Sequence, residues 1–92
     1  MSVASTDEPR ARAEAYVRVM ESYAADMTRE ECKTFLSRPR DRALEDRIAV
    51  LSRKANESGL TTLESAELHG YVDAGDAAAV LEAVVRRRLA AL

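Results

Sequence analysis

Aromatic side chains are scarce in this 92-residue chain: one Phe, three Tyr and no Trp. Hydrophobic residues still make up 47%, but 17 of them are alanines, each with little apolar area to bury. Burial returns ~25 cal/mol per Å² against ~1–2 kcal/mol of backbone entropy per residue. A single copy is therefore expected to be marginally stable, and a second copy or a protein partner would supply the missing burial. Cys32 is the only cysteine, so no internal disulfide can form, as suits a reducing compartment. The longest wholly apolar run is Ala77 to Leu81, far short of the ~20 residues that span a bilayer. The start, MSVASTDEPR, lacks the basic and apolar regions of a signal peptide, so a cytoplasmic, non-membrane protein is expected. Positive charge is not in excess either. The net charge is −2 with a pI near 5.4, which leaves no global field drawing the chain to nucleic acid.

What is present is helical. Residues 1–8 read as a flexible lead-in, and 9–92 as a single helical domain. Ser5 and Glu8 have capping-box spacing, and Pro9 suits a first helical turn. From Pro9 to Met27 the stripe Ala13, Tyr16, Met20, Tyr23, Met27 advances by three and four residues, which puts all five on one helical face. Ala11 to Val19 also alternates apolar and charged residues, a strand-like pattern. Alanine, glutamate and arginine decide for helix. Thr28 and Glu31 form a second capping box, ahead of an apolar side made by Cys32, Phe35 and Leu36. Arg38-Pro39 ends that helix. A third helix is expected from about Arg40 to Ser58, with Leu44, Ile48, Leu51 and Ala55 as its stripe and Gly59 as a left-handed cap. Thr61 and Glu64 cap a last helix that runs without proline to Leu92.

Residues 29–54 carry a net charge of +3 and residues 57–82 a net charge of −6. A short link at Gly59 would fold the acidic helix back along the basic one as an antiparallel hairpin. The expected fold is thus all-α: a small bundle of four helices whose long C-terminal helix belongs to that hairpin.

No chemistry-bearing constellation emerges. Cys32 and His69 are the strongest nucleophile and the only neutral-pH base, but nothing around them supplies an orienting group or an oxyanion hole. Cys32 reads as a core residue and His69 as one half of an exposed pair with Asp73. There is no CxxC or HxxxH spacing for zinc, and Ala66 stands where a Glu-x-x-His motif would need its carboxylate. Glu64, Glu67, Asp73 and Asp76 read as a solvated acidic face. No metal, cofactor or catalytic activity is expected. The residues singled out for contact are Tyr71, Gly75, Ala78, Leu81, Val85 and Leu89, one face of the last helix. Its small residues would let another chain approach closely. Arg86, Arg87 and Arg88 complement the helix dipole and are candidates for an anionic partner.

The segment from Arg47 to Leu89, above all LSRKANESGLTTLESAELHGYVDAGDAAAVLEAVVRRRL, resembles a family of small bacterial proteins of unassigned biochemistry. Their pattern is roughly Leu-x-x-Lys-Ala-Asn-Glu-Gly-x-Leu-Thr-Pro-Glu-Glu, then Glu-Leu-x-x-Tyr-Val, then an Arg-rich helix. It is matched here by Lys54, Ala55, Asn56, Glu57, Leu60, Thr61, Glu64, Glu67, Leu68, Tyr71, Val72, Arg86, Arg87, Arg88 and Leu89. Thr62 replaces the helix-starting proline, Ser58 is inserted before the glycine, and Ala77-Ala78-Ala79 stands where the family is bulkier. Members are often encoded beside HNH-type nucleases. The resemblance implies an antitoxin-like or accessory protein that docks on such a partner.

The sequence therefore leads to a non-catalytic helical interaction module that binds a protein partner, a second copy, or both. The alternative is a homodimeric DNA-binding regulator. It would be either ribbon-helix-helix, with a strand at Ala11–Val19, or helix-turn-helix over residues 29–58 with Arg40, Arg42 and Arg47 toward DNA.

Overall fold

Three of the four helices begin at caps that hold the chain locally. Thr28 accepts a bond from the Glu31 N–H through its hydroxyl, and the Glu31 carboxylate accepts one from the Thr28 N–H, at 3.1 and 2.8 Å. Asp41 caps the next helix by accepting from the Leu44 N–H. Thr61 and Glu64 repeat the reciprocal arrangement at 3.1 and 2.9 Å. Each cap satisfies amide groups that helix geometry leaves without partners.

The computed structural model describes residues 4–92, with side chains from residue 7 onward. It contains α1 (Ala4–Ala24), α2 (Arg29–Leu36), α3 (Arg42–Glu57) and α4 (Thr62–Ala91), and no strand among the described residues. The helix runs from Ala4, within the stretch expected as a lead-in over residues 1–8, of which residues 1–3 lie outside the described residues. Ser5 lies within the backbone of α1, with its side chain and hence its expected cap outside the described residues, and Pro9 is accommodated within the helix. Ala11–Val19 is helical throughout, so the strand needed for a ribbon-helix-helix arrangement is absent. Gly59 has φ +88°, the left-handed conformation expected of a residue just past a helix end. Gly70 and Gly75 leave α4 unbroken over its 30 residues.

The chain gathers into two compact units. A helix of ~30 residues is ~45 Å long, more than one small core can cover. The first half of α4 belongs to one unit and the second half to the other.

One unit gathers the chain as far as Arg38 together with Ala77–Leu92. Its core is Ala24, Cys32, Val84 and Val85, with Val17, Met20, Met27, Phe35, Leu36, Val80, Leu81 and Leu89 packed around them. Arg88 donates from Nε to the Met27 carbonyl at 3.1 Å, a link across 61 residues of sequence that ties α4 to the turn after α1. The Arg38 guanidinium lies 4.2 Å from the centre of the Phe35 ring.

The other unit, Pro39–Asp76, rests on a single fully buried side chain, Leu51. Ile48, Leu60, Leu68 and Tyr71 are half-buried. Ion pairs reinforce this thin core. Lys54 Nζ is 2.7 Å from Glu64 Oε2, and Arg47 donates twice to the Glu67 carboxylate at 2.9 and 2.8 Å.

Candidate protein-interaction surface

The apolar face that periodicity assigns to α1 is shared between the core and the surface. Two overlapping rows share Met20 and Met27. The row that enters the core is Val17, Met20, Ala24 and Met27. Tyr16 and Tyr23, placed on one helical face with Met20 and Met27 by the sequence, are 40% and 69% exposed, and Val19 beside them is 47% exposed. Together with Arg12, Ala15 and Met20 they line an open groove along α1. Half of the chain's four aromatic residues thus face outward, in a protein with few bulky apolar groups. A contiguous apolar row of this kind marks a contact surface more often than a solvated one.

The face assigned to α4 is divided. Val85, expected as an intermolecular contact, is fully buried and thus an internal one, and Leu81 and Leu89 are half-buried against the same core. The reason is that α1 and α2 dock on them within the same chain, a long-range contact that periodicity alone does not reveal. Gly75 and Ala78 are exposed, and a Cβ built on Gly75 would meet nothing within 4 Å. Tyr71 is half-buried, its hydroxyl donating to Glu67 Oε2 at 2.8 Å.

The basic residues are mostly occupied. Arg86 pairs with Glu82 at 2.8 Å and Arg88 is held by the Met27 carbonyl, so of the three terminal arginines only Arg87 lacks such a tie among the described residues. Arg87, Arg88 and Glu21 line a shallow cavity of about 260 Å³ with Ala24, Ala25, Val84 and Ala91. Of the arginines considered for DNA contact, Arg40 is paired with Glu45 and Arg47 with Glu67, which leaves Arg42.

Glu64 and Glu67 are not a solvated acidic face. The hydrogen bonds from Lys54 and from the Thr61 backbone hold the Glu64 carboxyl down to about 2. Those from Arg47 and Tyr71 do the same to Glu67. The same contacts raise the Arg47 guanidinium and the Tyr71 phenol, each chiefly through its hydrogen bond with Glu67. His69 and Asp73 are both exposed and form no ion pair among the described residues, so the expected pair is not made. Cys32 is a fully buried core residue. No group of three or more His, Cys, Asp or Glu able to hold a metal occurs among the described residues, and none of their helices is long and apolar enough to cross a membrane.

Among known proteins, the chain matches no family model, no curated sequence and no solved structure.

Proposed function

We propose that this protein is a non-catalytic helical interaction module, an antitoxin-like or accessory subunit that self-associates and docks on a partner protein. The observation that carries the reading is the exposed row Tyr16, Val19 and Tyr23 on α1, in a chain that otherwise has hardly enough bulky apolar side chains for its own core. The resemblance over Arg47–Leu89 names the partner's class, an HNH-type nuclease encoded alongside. In this reading α3 and the first half of α4 form an antiparallel hairpin. Support comes from the order of the ion pairs: as the α3 partner moves from Lys54 back to Arg47, the α4 partner moves forward from Glu64 to Glu67.

The test is co-expression with the product of the adjacent gene, followed by native mass spectrometry of the native chain and of Val19→Asp. A complex formed by the native chain and lost in the variant is expected. A complex that ignores Val19→Asp, or a chain that instead shifts DNA in a salt-dependent way, overturns the reading.

A further inference from the structure

We infer that the outward face of α1 is covered by α1 of a second copy running antiparallel to it. This deepens the proposed function, on which it rests, by naming the occupant of the exposed row.

Arg12, Tyr16, Val19, Tyr23 and Asp26 succeed one another by steps of four, three, four and three residues. That is the spacing of the seam along which two helices pack knobs into holes. The inner row of α1 is already used by the core, so the seam faces away from the chain's own interior. It carries opposite charges at its two ends and apolar side chains between. Asp26 lies two residues past the end of α1, in a turn closed by the Met27 N–H bonding to the Ala24 carbonyl at 3.1 Å. Arg12 and Asp26 are exposed, and neither forms an ion pair among the described residues.

These features make the face complementary to itself in one orientation. With the two-fold axis midway between Val17 and Arg18, Tyr16 lies opposite the second copy's Val19. Arg12 then lies opposite the second copy's Tyr23 and within one turn of its Asp26. Each arginine can stack on a tyrosine ring while its guanidinium reaches a carboxylate, and symmetry makes both contacts twice. Ala15 and Ser22 flank the seam and leave room for close approach. Glu14 and Glu21, at 100° per residue, fall on the other side of the helix and do not meet. A parallel pairing would set Arg12 against Arg12 and Asp26 against Asp26, and is disfavoured for that reason.

The seam of Arg12 to Asp26 is only ~21 Å long at ~1.5 Å per residue, so the interface is small and self-association should be weak, with dissociation in the micromolar range or above.

Sedimentation equilibrium of the full chain tests this. The native protein is expected to approach twice its 10.1 kDa with rising concentration. Val19→Asp, at a position already half-exposed, should abolish the dimer while circular dichroism keeps its helical signal. Arg12→Glu and Asp26→Lys should each weaken association by about tenfold, because two surface attractions become repulsions. Both changes in one chain should restore it, since antiparallel pairing re-forms each ion pair with its sign reversed. A native chain that stays at 10.1 kDa up to ~1 mM, a dimer indifferent to Val19→Asp, or a double variant as weak as the single ones overturns the inference. A monomer that still enters the partner complex through Val19 overturns the second copy but leaves the proposed function standing. A dimer with the stated charge response but no partner complex supports the second copy and removes the proposed function.

Discussion

At the scale of single residues, the caps and the glycines carry the clearest consequences. Thr28 serves two amide groups with Glu31, so Thr28→Ala should cost about 1 kcal/mol, read as a lowered midpoint in urea. The glycines of two positions should respond with opposite signs. Gly59 sits at φ +88°, where a Cβ is strained, and Gly59→Ala should destabilise by about 1 kcal/mol or more. Gly75 lies inside α4 with open space around it, so Gly75→Ala should stabilise by up to about 1 kcal/mol. A destabilised Gly75→Ala would mean that something approaches the helix there. Leu51 is the one fully buried side chain of its unit, and Leu51→Ala should cost ~2–5 kcal/mol, enough to melt much of a small protein.

At the scale of elements, the number, the order and most ends of the helices were legible in the sequence, because caps are local chemistry. Thr28 with Glu31, Thr61 with Glu64, and Gly59 do in the structure what their spacing indicates. Which face of α1 turns inward was not legible. Tyrosine looks apolar, so periodicity favours Tyr16 and Tyr23, whereas the core takes the smaller Ala24 and Val17, which let α1 lie close to Val84 and Val85. The burial of Val85, expected at the interface, has the same origin: its partners come from the other end of the sequence. Net charge along the sequence does not reveal individual partners: Glu67 serves both Arg47 and Tyr71. Glu67→Gln, nearly silent for a solvated residue, should therefore lower the melting temperature at neutral pH. The acid response follows from the carboxyls themselves. Both fall from 4.5 to about 2 on folding, so the folded form holds fewer protons than the unfolded one between those values. The stability they contribute is complete above 4.5 and is lost as pH falls toward about 2. Melting temperature should drop steeply across that window, and less steeply in Glu67→Gln. A native profile flat there would show that the ion pairs are not held in solution.

At the scale of the whole molecule, an alanine-rich chain has divided a small stock of bulky side chains among two thin cores, an outward row on α1 and the scattered exposed residues Leu44, Val50, Leu63, Val72 and Leu92. Only four residues of the larger cluster are buried, and Tyr16, Val19 and Tyr23 remain at the surface. Such a molecule would gain by meeting another chain, and the row on α1 is the surface proposed for that contact. The most direct measurement is a dilution series of backbone amide NMR spectra of the isolated full chain, from ~1 mM to ~10 µM. Concentration-dependent shifts are expected, confined to the residues around Arg12, Tyr16, Val19, Tyr23 and Asp26. Spectra that do not change across the series, or shifts that instead gather on Val72, Gly75 and Ala78, would contradict the proposed contact.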